Sequence, residues 1–253
     1  MTVGALIFAR NNEQIDYVAM AAWTAKNIRR HLSIPVALIT DRPTDLHFEQ
    51  VIIADAGGAN GRWFGDYDTN VTWHNRSRVN AYELSPWKQT LVLDADYVVA
   101  SNQLKTVLAS SEDFLAHRRA YDVTGIDNFE GLNYFGAHNM PMWWATIMMF
   151  RRSEQARLIF ESMSMIRDNW THYRNIYKNS RGTYRNDHAL SIALGTVNGH
   201  TLDHPTIPWS LPTVTHDQKL TQTGQDTYRV DFITQDKKPK WVQLQQEIGR
   251  AHV

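Results

Sequence analysis

The sequence contains no cysteine. That excludes a disulfide framework, thiolate metal sites and a cysteine nucleophile, and it fits a cytoplasmic protein. Net charge is missing too: Lys plus Arg and Asp plus Glu each number 26 over 253 residues. No global field attracts nucleic acid or a membrane surface, so any such partner must meet a local patch. Apolar runs all fall short of the roughly 20 residues a membrane span needs, which argues for no membrane partner. The opening stretch MTVGALIFARNN has no basic leader region, so a core strand is expected there rather than a signal peptide. Repeats, low-complexity tracts and an evident linker are likewise lacking. Aromatic residues are plentiful. Nine are Trp, and some of these must line surfaces or clefts rather than core.

A chain of this length can bury a full core. Residues 3–9 (VGALIFA) are a short apolar run that ends at polar RNN, as a buried strand feeding a loop would. Ile15, Val18, Ala22, Ala25, Ile28 and Leu32 then recur at steps of three and four, one face of a helix. Pro35 stops it, and VALIT (36–40) and VIIAD (51–55) read as further buried strands. Strand, helix, strand at this spacing predicts a βαβ unit and a parallel sheet. Residues 56–75, rich in Gly, Asn and Asp, predict a loop, and 76–84 a helix before the strand TLVLDADYVV (90–99). Further on, 121–141 is irregular, 143–150 (WWATIMMF) a strand, 153–178 a helix, and 186–196 a helix ended by Gly195. YRVDFIT and KWVQLQ around QDKKP predict a late hairpin. The expected fold class is α/β, one Rossmann-like domain over 1–253 with a mostly parallel central sheet. Residues 1–100 form its nucleotide-binding half and 101–253 its acceptor-binding half.

TLVLDADYVV drives two aspartates, Asp94 and Asp96, into an apolar run. A carboxylate there is expensive to bury unless it is paired or holds a metal. Capping a turn where the strand leaves the sheet is one reading. The other starts from the rule that parallel α/β sheets bind ligands beyond the carboxyl ends of their strands. Side chains two apart on an extended chain point the same way, so both carboxylates reach one site. Two hard oxygen donors suit Mg²⁺ or Mn²⁺ carrying phosphate oxygens.

The apolar strand with D-x-D resembles the haloacid-dehalogenase-type phosphatases. Those carry the strand near the N-terminus and a later acidic pair, and neither feature is found here. Over residues 3–200 the sequence more closely resembles GT-A glycosyltransferases of the glycogenin-like, family-8 type. The elements that carry this are ARNN (9–12), SRVNAYELSPWKQTLVLDADYVV (77–99), MWWATIMMFRRS (142–153) and YRNDHALSIAL (184–194), in that order. The resemblance implies a metal-dependent transfer of sugar from a nucleotide-sugar, a UDP-sugar by preference, with retention at the anomeric carbon. It implies that Ala9 and Asn11 receive base and ribose, that Arg78 contacts donor phosphate or sugar, and that Asp94 and Asp96 hold Mn²⁺ or Mg²⁺. Asp187 maps to the aspartate that faces the sugar, although its place near a helix start also suits the macrodipole. Asp41 ends a strand on the same edge, where a base or ribose contact and a plain turn are both open. The sequence departs from the family at three places. Trp144-Ala145-Thr146 stands for Asn-Ser-Gly, His188 follows Asp187 instead of Gln, and H-x-x-G-x-x-K-P-W is reduced to IPW at 207–209. That last motif supplies the third metal ligand. His200, His204, His216 and His252 are the substitutes on offer, with His252 preferred and His216 next.

Residues 167–185 carry Arg167, Arg174, Lys178, Arg181 and Arg185 against the single acid Asp168, with Trp170, Tyr173, Tyr177 and Tyr184 interleaved. A solvated helix face with apolar anchors explains this. A surface for a polyanionic acceptor explains it as well, bases stacking on rings while phosphates meet Arg and Lys. On that reading Arg174, Lys178 and Tyr173 bind the acceptor, a hydroxylated base in phage DNA such as hydroxymethylated DNA. A catalytically inactive module that holds nucleotide-sugar or polymer is the alternative outside the enzymes.

Overall fold

The computed structural model describes residues 2–58, 60–64, 69–74, 76–179, 183–201, 203–215 and 217–250. Its centre is a six-stranded sheet in the order Gln50–Ile53, Val36–Thr40, Val3–Phe8, Gln89–Leu93, Trp144–Arg151, Phe114–His117. The first four strands run parallel, and Trp144–Arg151 is antiparallel to both its neighbours. The sheet is mostly parallel, as the near-continuous Val, Ile and Leu runs demand of strands covered on both faces. Alternate residues feed two cores. Ala5, Ile7, Leu91 and Leu93 pack on Val18, Ala21, Ala25 and Ile28 of the helix Tyr17–Leu32. Leu6, Phe8, Val92 and Met148 pack on the other side, with Ile159 and Met163 of the helix Glu154–Asp168 and Ala189 and Ala193 of the helix Asn186–Val197. Asp16 caps Tyr17–Leu32 by accepting from the Ala19 N–H at 2.9 Å. No helix among the described residues is long and apolar enough to cross a membrane.

Local structure departs from the sequence expectations in several places, each with a cause. The strand expected over 90–99 ends at Leu93. Asp94 to Tyr97 form a turn closed by the Tyr97 N–H on the Asp94 carbonyl at 3.2 Å. The two aspartates therefore reach one edge through a turn, and the pleat of an extended chain is not what aligns them. The loop expected over 56–75 contains a hairpin, Asn60–Phe64 against Thr69–Trp73, hidden by turn-type residues at strand positions. The helix expected over 76–84 begins as a 3₁₀ turn, Arg76–Asn80, before Ala81–Leu84. The long helix expected over 153–178 breaks at Asn169, whose side-chain amide bonds back to the Met165 carbonyl at 2.9 Å; Trp170–Ile176 follows as a separate helix. Gly195 does not end its helix, which continues to Val197. The turn comes at Gly199 and His200, with φ of 63° and 59°. The late hairpin is present as Tyr228–Ile233 against Pro239–Leu244.

The C-terminal segment returns to the main body next to the aspartate turn. Val98 and Ile248 exchange both backbone hydrogen bonds, at 2.8 and 3.1 Å. Adjacent Glu247 is fully buried, its Oε1 accepting from the Ser101 N–H at 3.2 Å and from Oγ at 2.8 Å. Burial pushes the Glu247 carboxyl up to about 7, with the Ser101 bonds opposing. The folded protein thus holds this proton where the unfolded chain has released it, so the Glu247 contribution to stability falls as pH rises from about 4.5 through about 7. Between about pH 5 and about pH 8, Glu247→Gln is expected to lose roughly 1–3 kcal/mol less stability than wild type. Urea midpoints at the two pH values check this, and equal losses in the two proteins would contradict it.

Candidate active site

Four parallel strands end at Phe8, Thr40, Ile53 and Leu93, and the antiparallel strand starts at Trp144 on the same edge. Ligands of open α/β sheets bind beyond this edge. The side chains there are organised by two residues of backbone, Ala145 and Thr146. The Thr146 carbonyl accepts from the Asp94 N–H at 3.0 Å. It also accepts from Arg78 Nη2 at 2.9 Å, and the Ala145 carbonyl from the same nitrogen at 2.5 Å. Arg78 Nη1 bonds the Asp94 carboxylate. On the other side the Ala145 N–H donates to Asp187 Oδ1 at 2.8 Å, while Asp187 Oδ2 meets Arg185 at 3.2 Å. These bonds to residues 145 and 146 all use backbone atoms. They do not depend on the side chains of Ala145 and Thr146.

Arg78 is 3% exposed, so its guanidinium is a buried cation matched by one carboxylate and two carbonyls. Asp94 differs: 32% of its side-chain surface is open. Its carboxyl is pushed up to about 7, first by desolvation and then by the charges of Asp96 and Asp187, with Arg78 acting against them. Asp96 is half-buried in the same turn. Crowded carboxylates of this kind gain from a cation, and Asp94 with Asp96 offers hard oxygen donors that fit Mn²⁺ or Mg²⁺. Among the described residues no group of three or more His, Cys, Asp or Glu could hold a metal by itself, so a metal on Asp94 and Asp96 would need further ligands. His252 and His216 lie outside the described residues. His204 is built into the core, its Nδ1 on Asn198 at 2.8 Å and its ring against Trp143 and Phe114. Burial pushes it down to about 4. His200 occupies the left-handed turn after its helix.

The residues expected to meet base and ribose stand at the ends of the neighbouring strands. Ala9 is buried and donates its N–H to the Ile39 carbonyl at 3.0 Å. Asn11 Oδ1 accepts from the Val18 N–H at 2.9 Å and so helps start the first helix. Asp41 contacts Thr40 and Arg42, each at 3.4 Å. Sequence reasoning passed over Arg10, which is 4% exposed. Its Nη1 reaches Ser77 Oγ at 2.8 Å and the His74 carbonyl at 3.2 Å. Nη2 reaches the carbonyls of Ala54 and Asp55 at 3.0 and 2.9 Å. Burial lowers its pKa while Asp41 and Asp55 oppose. Arg10 thereby ties two strand ends to the turn that carries Arg78. Its signal was an arginine directly after an apolar strand.

The basic-aromatic stretch presents less than its composition suggested. Trp170 lies parallel to His188 at 5.8 Å, Tyr177 packs on Phe135 at 6.1 Å, and Tyr184 is 2% exposed. Tyr173 is half-buried against the core. Arg167 is engaged by Asp168, Asn80 and Ser164, and Arg181 is outside the described residues. Lys178 is exposed and Arg174 half-buried. Only Tyr184 is core; Trp170, Tyr173 and Tyr177 are half-buried against it, since aromatics gain by burial.

No family model matches the sequence, and no curated protein matches it. Solved structures do. The chain is similar to the galactosyltransferase LgtC in complex with donor and acceptor sugar analogues, at 15% identity and a TM-score of 0.50, over 76% of this chain and 70% of that one. An active-site variant of LgtC matches at 12% identity and 0.51, over 75% and 69%. The glycosyltransferase GlyE of Streptococcus pneumoniae TIGR4 matches at 12% and 0.44, over 82% of this chain and 46% of that one. The likeness to LgtC is one of fold. It agrees with the α/β, mostly parallel GT-A-type architecture expected from the sequence.

Removing Arg78 leaves the Asp94 carboxylate and two carbonyls without their cation. Arg78→Ala is expected to cost about 3–5 kcal/mol in urea unfolding, whereas Asp187→Asn, which keeps an acceptor for the Ala145 N–H, costs under about 1.5 kcal/mol. A wild-type urea midpoint for Arg78→Ala would contradict the clamp.

Proposed function

We propose that this protein is a metal-dependent glycosyltransferase that moves a sugar from a nucleotide-sugar, by preference a UDP-sugar, to a hydroxyl acceptor. The observation that carries the reading is the set Arg78, Asp94, Asp96 and Asp187 gathered at the carboxyl edge of a sheet with the LgtC fold. Asp96 and Asp94 would hold Mn²⁺ or Mg²⁺, which when bound neutralises the diphosphate and stabilises the departing nucleoside diphosphate. Arg78, engaged through Nη1 by Asp94 and through Nη2 by Ala145 and Thr146, keeps Asp94 in place and adds positive charge through its field. Asp187, held by Ala145 and Arg185, is positioned to accept from donor sugar hydroxyls. Ala9, Asn11 and Asp41 border the base and ribose side. Retention follows from the resemblance to family-8 enzymes and is read from the anomeric configuration of the product.

His252 is the proposed third ligand. It lies four residues beyond Ile248, which is paired with Val98 two residues past Asp96, and four residues span up to about 14 Å. For the acceptor, the hydroxylated base of phage DNA rests on Arg174, Lys178 and Tyr173. Replacing Arg174 and Lys178 by Ala is then expected to lower affinity for hydroxymethylated DNA and to flatten its log–log salt slope, by roughly 0.7–0.9 for each phosphate no longer neutralised. No DNA binding by wild type at low salt would exclude this acceptor.

The donor site has its own test. Asp96→Ala is expected to abolish Mn²⁺-dependent UDP-sugar binding in calorimetry while the melting curve stays cooperative. Donor binding equal to wild type would sink the assignment. Deleting residues 251–253 should weaken Mn²⁺ affinity, because a chain end contributes little packing and its loss leaves the core intact. Unchanged affinity would transfer the ligand role to His216.

A further inference from the structure

Lys219–Gln222, Tyr228–Ile233 and Pro239–Leu244 form a three-stranded antiparallel sheet distinct from the central one. Its inner face is apolar: Tyr228 and Val230 pack with Val98, Ala100, Val214 and Ile248. Alternation puts Arg229, Asp231 and Ile233 on the outer face, directly across from Gln243, Trp241 and Pro239. Trp241 is 55% exposed there and Ile233 60%. Between them runs a groove of about 400 Å³ lined by Trp241, Ile233, Pro239, Arg229, Asp231 and Asp217 among others. That volume falls within the roughly 300–1,000 Å³ of small-molecule sites.

The indole is pre-positioned. The Arg229 guanidinium lies 5.1 Å from its centroid and is itself fixed by Asp231, at 2.7 Å through Nε and 2.5 Å through Nη2. One side of the ring is braced and the rest faces the groove, so little freedom remains to be lost on binding. Arg229 and Asp231 cancel each other's charge, which gives neither a polyanion nor a polycation an advantage. The apolar part is one indole with two aliphatic neighbours, far below the roughly 800 Å² per partner of a stable protein interface. A pyranose fits these terms. Its C–H face is electropositive and meets the negative face of the indole, and its hydroxyls donate to Asp231 and Asp217 and accept from Arg229.

We propose that the Trp241 groove is a carbohydrate-binding subsite that takes a neutral oligosaccharide chain. It goes beyond the donor-site reading, because none of Arg78, Asp94, Asp96 and Asp187 lines it. The test is calorimetry with maltohexaose, cellohexaose and chitohexaose in the absence of nucleotide-sugar and metal. At least one is expected to bind saturably at millimolar concentration. Trp241→Ala and Asp231→Asn should each weaken that binding about tenfold with wild-type melting curves, and Asp96→Ala should bind as wild type does. The Asp96→Ala arm separates this groove from the donor site, so either assignment can fail alone. Absence of binding by all three sugars, or equal binding by Trp241→Ala, overturns the proposal. A dimer in sedimentation that Trp241→Ala dissolves would also overturn it, in favour of an interface between copies of this chain.

Discussion

A buried guanidinium holds the candidate site together. Arg78 joins the aspartate turn after one strand to the first residues of the next, through Asp94 on one side and the carbonyls of Ala145 and Thr146 on the other. A cation with 3% exposure is tolerable only while all three partners stay in place. The Arg76–Asn80 turn, the end of Gln89–Leu93 and the start of Trp144–Arg151 therefore have little freedom to move apart. Because the Ala145 N–H also holds Asp187, the helix Asn186–Val197 is indexed to the same point.

The frame around that clamp is a parallel sheet whose strand ends are drawn together by a second buried arginine. Arg10 reaches the carbonyls after Gln50–Ile53 and the serine just before Arg78. The two arginines divide the work. Arg10 fixes the edge expected to meet base and ribose, and Arg78 fixes the carboxylates expected to meet metal and phosphate. What stays open is negative: Asp94 is a third exposed and crowded by Asp96 and Asp187. An edge built this way rests on buried cations, and the proposed metal would meet it from outside.

Much of the frame was legible in the sequence because apolar runs and helical spacing report burial directly. VGALIFA, VALIT and TLVL announced strands, and Ile15 to Leu32 a helix, of which Ile15 lies just before the Asp16 cap. Asp94 and Asp96 could be singled out from residue type and spacing and Asp187 from the family resemblance, and the structure brings Asp96 and Asp187 within electrostatic reach of Asp94. Harder to see was anything that depends on a backbone atom. The Ala145–Thr146 bonds use no side chain of theirs, so residue type at these positions gave no sign of them. Arg10 was obscured for the opposite reason, since its partners at Ala54, Asp55, His74 and Ser77 are remote in sequence. For the 167–185 stretch, composition gave no direction for the side chains. Trp170 and Tyr173, on the short helix that follows the break at Asn169, and Tyr177 at its end pack against the core, and Tyr184 is buried before the next helix.

The most direct measurement is a calorimetric titration of a UDP-sugar panel into the wild-type protein, with Mn²⁺ and again with the metal chelated. Saturable binding of at least one UDP-sugar that requires Mn²⁺ is the predicted result. Binding that is indifferent to the metal, or no binding by any member of the panel, would contradict a donor site built on Asp94 and Asp96.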